Sequence, residues 1–415
     1  MLIKIIENQE PLDGYKLKRL FQNRKAIYVR PFEDIATSSE VRLDASTAVS
    51  GETTAEEFSD TEFNEDTEFE NNMDIAIERS LNDSDKPVTL QSVLETLSKR
   101  IKDENVTHFN IYRKEVFLSC IRATTRKRFN PFAKIVVTFT DNSNNSEGAV
   151  DAGGPTREMF RLVFLELKDS ILFEGKDKKF LSLNCKSLEK GEYYEAGKII
   201  ALSLIHVGQG PHFFSDVLFS AIVHGIHNAK PVAEFIDQHI LETVYKVRNI
   251  SSLDKLQEMV INEPIFGVAG IYFTSSLEEK EDIIERTLRF YNFYRIKAAL
   301  DQFIEGLKIG DVYDLMVKHP DLFYPLMCSE PPALTAEVMI NLFEVVYSCE
   351  GSNIRDAENR TISYWRDYLM DCEEVEDEDG VTLKEILIFA TGASSIPPLG
   401  FSTKPVIQFM HTSYT

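Results

Sequence analysis

Nucleophilic or metal-binding chemistry would fall first to five cysteines, Cys120, Cys185, Cys328, Cys349 and Cys372. They are odd in number and scattered, and none forms a C-x-x-C pair. A disulfide framework or structural zinc site is therefore not expected, which fits a reducing compartment. A cysteine suits nucleophilic catalysis because, at its ordinary pKa of about 8.5, a few per cent is already thiolate at neutral pH. Cys185 lies in Asn184-Cys-Lys-Ser-Leu188, while Cys372 adjoins the acidic run Glu373-Glu-Val-Glu-Asp-Glu-Asp379, whose charge would raise a thiol's pKa. The default for each is a small buried hydrophobe. His224 and His227 stand one turn apart without thiols or carboxylates beside them, so they are expected on a helix face and not on a metal. No metal or cofactor is implied.

Val150-Asp-Ala-Gly-Gly-Pro-Thr-Arg-Glu-Met-Phe160 has the form of a tight turn opening a helix. Gly153 and Gly154 make the turn, Pro155 takes a position where its missing N–H costs nothing, and Glu158 falls in the first turn. A phosphate-cradling loop would need Gly-Lys-Ser/Thr or G-x-G-x-x-G, and neither is present.

Met73-Asp-Ile-Ala-Ile-Glu-Arg-Ser-Leu81 sets Met73, Ala76, Ile77 and Ser80 on one face of a helix. So short a helix is marginal in water, and its apolar stripe needs a partner to cover it. Ala76 permits close backbone approach, Ser80 can hydrogen-bond, and the upstream acids suit both a basic rim and the positive end of the helix dipole. Glu68, Glu70, Met73, Ala76, Ile77, Ser80 and Asp83 together resemble a ubiquitin-interacting motif. Asn71-Asn72 departs from it where acids usually continue, which lowers the affinity the resemblance implies. The alternative is an amphipathic helix packed on the domain that follows.

The elements around these residues divide by composition. Residues 1–35 could supply one or two short strands from Ile3, Ile5, Ile6 and Ala26-Ile-Tyr-Val-Arg-Pro31, with no role assigned. Residues 36–87 are rich in Ser, Thr, Glu and Asp and are expected to be a disordered acidic linker containing the helix at 68–83. Thirteen acids against the single base Arg79 between Gly51 and Asp85 supply over half of the net charge of −22, which argues against nucleic acid as the main partner. Helical periodicity returns near Val88, with Leu90, Val93, Leu94 and Leu97 on one face, and dominates to about Tyr347. Lys134-Ile-Val-Val-Thr-Phe139 is the clearest strand. No stretch has the roughly 18 uninterrupted apolar residues of a membrane helix, and no signal peptide opens the chain, so a protein of the cytoplasm or nucleus is expected.

From about Asn105 onward the sequence resembles the HECT domain of ubiquitin ligases. The loop at 150–160 matches that family's signature, and Leu172-Phe-Glu174, Tyr193–Ala201, Gly210-Pro-His-Phe213, Ala298–Gly306, Gly351–Arg355, Trp365–Leu369 and Phe389–Phe401 follow in the family's order. The resemblance implies an α+β, mostly helical, bilobal domain: a large lobe at 88–347 that docks the ubiquitin-conjugating enzyme, a hinge at 348–351, and an incomplete small lobe at 352–415. It places the docking subdomain within Val232–Ser276, without marking a docking residue. It implies ubiquitin, a conjugating enzyme and protein substrates as partners, with neither nucleic acid nor membrane. The family's catalytic cysteine follows a Thr, on a loop after the strand that succeeds Pro-Pro-Leu-Gly-Phe401. That position is expected beyond Thr415, so these 415 residues are expected to be inactive as they stand. A non-catalytic ubiquitin-binding scaffold is the alternative.

Overall fold

In the computed structural model, which describes residues 87–140, 147, 151–374 and 380–411, Val93, Leu94 and Leu97 are buried on one face of the helix Leu90–Ser98 (α1). The described residues from Leu90 onward form one compact unit, mostly helical with three small two-stranded sheets. After α1, strand β1 (Lys102–Tyr112) runs parallel to β2 (Ala133–Thr140), with helix α2 (Val116–Thr124) as the crossover that a parallel pair requires. Strand β2 falls where its β-branched run predicts, burying Ile135, Val137 and Phe139 at alternate positions. Strand β1 interrupts the expected helical stretch. Its first half, Lys-Asp-Glu-Asn-Val, is exposed, and only Phe109 and Ile111 reach the core.

Helix α3 (Gly154–Lys168) precedes the short hairpin β3 (Phe173–Glu174) and β4 (Phe180–Leu181), helix α4 (Cys185–Glu189) and the central helix α5 (Glu192–His206). Helix α5 is buried almost all round. Its two buried charges pair at 2.6 Å, Lys198 with Glu195, and the Thr124 hydroxyl also donates to Glu195. Helix α6 (Asp216–His224) follows, then α7 (Gln238–Lys246), α8 (Leu253–Asn262), α9 (Pro264–Val268), α10 (Lys280–Arg289), a π-turn at Phe290–Tyr294, α11 (Lys297–Leu307), α12 (Val312–Lys318) and α13 (Pro320–Met327).

These residues build two separate cores. The large one gathers α1–α6, α11–α13 and the first two sheets around Phe109, Phe160, Tyr193, Phe214 and Phe303. A smaller one, within 240–288, packs Val244, Leu256, Val260, Phe266, Ile271 and Ile283. Its two connections meet at Asn292 of the π-turn, whose side-chain oxygen accepts from the Val232 N–H at 2.6 Å.

A third core follows. It takes in α14 (Ala336–Leu342), β5 (Glu344–Val346), α15 (Asn353–Glu373), α16 (Leu383–Thr391) and β6 (Val406–Gln408), which pairs in parallel with β5. Trp365 packs edge-on to Phe343 and tilts over Tyr368, a core role for both aromatics. Because α14 and β5 belong to this core, the join to the large core runs through Glu330–Ala333, upstream of the 348–351 interval expected to act as a hinge. Ser348 is tied to Glu358 of α15, and β5 is held by β6.

Candidate functional site

The loop before α3 is organised by Asp151. Its carboxylate accepts the N–H groups of Val137 and Gly153, each at 2.8 Å, and the Thr156 hydroxyl. Gly153 adopts φ +96°, and Pro155 enters the first turn of α3, as its position in the sequence predicts. This turn aims Arg157 out of the large core. Arg157 Nε donates to the carbonyl of Thr391, the last residue of α16, at 2.9 Å, and its guanidinium lies 5.0 Å from the centre of the Phe401 ring. Gly392, at φ +77°, follows Thr391, and a Cβ there would stand 2.4 Å from the Gly154 carbonyl oxygen. The signature loop of one core thus meets the Phe389–Phe401 stretch of the other. Beside this contact a cleft of about 710 Å³ opens between the cores, lined by Arg161, Leu165, His212, Pro331, Leu383 and Ser395 among others.

Gly210-Pro-His-Phe213 has a docking role of its own. His212, held at φ +61°, donates its N–H to Leu326, and its ring Nδ1 meets the carbonyls of Pro325 and Ser329. A Cβ on Gly210 would stand 2.1 Å from the Leu326 carbonyl oxygen. Burial pushes the His212 pKa down, so a neutral ring donating from Nδ1 suits the site.

The 240–288 core carries an apolar surface. Ile261, Val268, Tyr272 and Phe273 are exposed, the last two at 72% and 64%. Tyr272 lies against Gly267. The loop that bears the two aromatics is pinned: Gln257 donates to the Thr274 carbonyl at 2.9 Å, and the Thr274 and Ser275 hydroxyls each donate to Glu279 at 2.7 Å. Those hydroxyls, Ser275 first, hold the Glu279 carboxyl below its usual range. Two large rings held outward on a braced loop form a preorganised apolar contact surface. The sequence hint was Tyr272-Phe273 just after Gly270, but exposure is a tertiary property.

Cys120, Cys328 and Cys372 are buried, whereas Cys185 and Cys349 are exposed. Burial raises all three buried thiols, Cys328 to about 12, and Asp371 and Glu385 add to the effect at Cys372, in the sense expected from its acidic neighbours. Cys185 begins α4, far in sequence from α16 and β6. His224 ends α6, and the His227 ring tilts over Tyr294. Glu68, Glu70, Met73, Ala76, Ile77, Ser80 and Asp83 lie outside the described residues.

No protein-family model matches the chain. The curated relatives it does match are E3 ubiquitin-protein ligases. The G2/M phase-specific E3 ubiquitin-protein ligase of Gallus gallus is 34% identical over 326 residues, covering 78% of this chain and 43% of that protein. The human protein of the same name is 30% identical over 309 residues, 73% of this chain and 42% of its own length. The chain thus spans less than half the length of the relatives it matches.

Proposed function

We propose that the protein is a ubiquitin-protein ligase of the HECT type. Similarity to the avian and human ligases along about three quarters of the chain supports this. The structural observation that carries it is the separately packed 240–288 core, whose braced Tyr272 and Phe273, with Ile261 and Val268, offer a ubiquitin-conjugating enzyme an apolar docking surface. In this chemistry a ligase thiolate attacks the carbonyl carbon of the thioester joining ubiquitin to the conjugating enzyme, and the conjugating enzyme's thiolate leaves. A deprotonated lysine amine of the protein substrate then attacks the new thioester. An isopeptide bond forms as the attacking nitrogen gives up a proton to solvent, and the ligase thiolate is released. The nucleophile is assigned to none of the five cysteines here. Glu68 to Asp83 would supply a weak second contact with ubiquitin.

Titration of the purified chain with a panel of conjugating enzymes tests the docking surface by calorimetry. At least one should bind, and Tyr272→Ala combined with Phe273→Ala should weaken it by about tenfold or more, as for aromatic anchors at an interface. Absence of binding across the panel, or binding indifferent to the double substitution, overturns the assignment.

A further inference from the structure

We propose that the cleft beside α3 is a binding site for a phosphate monoester, held by Arg161 together with Lys168 and Lys384. This inference is independent of the conjugating-enzyme surface and needs no ligase activity. Arg161, Phe164, Leu165 and Lys168 recur at helical spacing and turn one face of α3 to the cleft. Leu383, Lys384, Ile388, Ser394 and Ser395 line it from the C-terminal core. At about 710 Å³ it has room for a small organic ligand.

Arg161 is left unsatisfied by the protein alone. Its side chain is only 15% exposed, its Nε is buried, and it donates no hydrogen bond to any described residue. Its one ion-pair neighbour among those residues, Glu158, stands 3.9 Å away and is taken at 2.7 Å by Arg113. Burial lowers the Arg161 pKa, Glu158 opposes this, and the like charge of Arg113 adds to it. A guanidinium in this condition carries a desolvation cost that an anion in the cleft would offset.

Lys168 on the same helix and Lys384 on the facing wall form no ion pair with a described residue. Three such cations lining one cleft, in a chain of net charge −22, call for a ligand with more than a single negative charge. A phosphate monoester brings about 1.5–2 negative charges at neutral pH and three acceptor oxygens, which suit the planar Arg161 fork and the two ammonium groups. Ser394 and Ser395 add hydroxyl donors that no described residue engages. Phe164, Leu165 and Ile388 offer apolar cover to the group that carries the phosphate. Asp177, Glu330 and Glu373 also line the cleft, but Glu373 accepts the Ala336 N–H, and Asp177 and Glu330 adjoin in sequence the bond from Lys178 to the Cys328 carbonyl, on segments apart from α3.

Saturation-transfer NMR on the whole 415-residue chain tests the site with phenyl phosphate, whose ring protons report contact with the protein. Binding should saturate with millimolar or tighter affinity, exceed that of benzoate, and fall as inorganic phosphate is added. Arg161→Gln, which removes the charge and keeps an amide donor, should weaken it about tenfold or more. Lys384→Gln alters an exposed side chain, should weaken it severalfold, and decides the matter if Arg161→Gln fails to fold. Arg122→Gln, at an exposed arginine of α2 outside the cleft, should leave binding unchanged. Doubly capped phosphotyrosine separates the two sources of such an ester: tighter binding than phenyl phosphate assigns the site to a phosphorylated residue of a protein, and binding no tighter assigns it to a free phosphorylated metabolite. Absence of saturable binding, benzoate held as tightly as phenyl phosphate, folded variants at Arg161 and Lys384 that bind like the parent, or an equal loss in Arg122→Gln overturns the proposal.

Discussion

Gly197 of α5 and Gly306 of α11 face each other where the two helices cross: a Cβ on Gly197 would stand 2.1 Å from the Phe303 carbonyl oxygen, and one on Gly306 2.1 Å from that of Tyr194. Backbone meets backbone at this crossing, so neither neighbour can yield as a flexible side chain would. Gly197→Ala and Gly306→Ala are each expected to cost about 1–3 kcal/mol or more through overpacking. Denaturant unfolding followed by circular dichroism would read the loss. A change within a few tenths of a kcal/mol would show that the crossing is looser than described.

His206 ends α5 with Nε2 on the Pro131 carbonyl at 2.9 Å, and burial holds its pKa down to about 4 although that carbonyl favours the charged ring. A histidine depressed in the folded state contributes stability that is full above its unfolded pKa, near 6.5, and is lost as pH falls toward the folded value. The large core should therefore lose on the order of 3 kcal/mol between pH 6.5 and 4 from this group, with His212 acting in the same sense. His206→Gln should flatten that part of the stability profile. An unchanged slope would exclude the residue as the source.

Glu358 of α15 is 2% exposed and accepts three hydrogen bonds: the Ser348 N–H at 2.7 Å, the Ser348 hydroxyl at 2.6 Å and His411 Nε2 at 2.7 Å. Burial pushes its carboxyl up, but the bonds from Ser348, then His411, outweigh burial and leave it lowered. Its stabilisation is thus present above the unfolded value near 4.3 and disappears as pH drops through the lowered folded value. Trp365 is the sole tryptophan and sits in the same core, so its fluorescence follows this region alone. Glu358→Gln, which turns an acceptor into a donor facing other donors, should destabilise the Trp365 transition by about 1–3 kcal/mol. An unshifted midpoint would contradict the three-bond description.

The ubiquitin-interacting resemblance at Glu68 to Asp83 makes a separate prediction. A peptide of residues 65–86 should shift resonances of labelled ubiquitin with weak affinity, since one helix buries far less than the roughly 1,200 Å² of stable interfaces. Ala76→Arg should remove the shifts by blocking close approach. Unaffected spectra at millimolar peptide would reject the assignment.

What could be read from the chain was whatever its local pattern encodes. The buried face of α1, strand β2, Pro155 at the head of α3 and the core role of Trp365 and Tyr368 all follow from spacing and residue type. Strand β1 was hidden because its opening residues are polar and exposed, with no alternation to find. Strand β5 was not legible locally because Glu344-Val-Val346 becomes a strand only by pairing with Val406–Gln408, a partner no local window contains. Arg157 looks like an ordinary first-turn arginine, and its acceptor lies 234 residues away. The Tyr272–Phe273 surface depends on which face of a small core is left uncovered, which composition does not reveal.

The β5–β6 pairing also bears on how the protein is made. Each residue of strand β5 emerges from the ribosome 62 residues ahead of its partner in β6, a lag of roughly 3–12 s at ordinary synthesis rates. During that interval Glu344–Val346 presents an unpaired edge, and the nascent C-terminal core lacks Ile407. Chaperone capture should therefore concentrate on nascent chains with β5 exposed and β6 still unmade, and messages stalled there should yield products prone to aggregation.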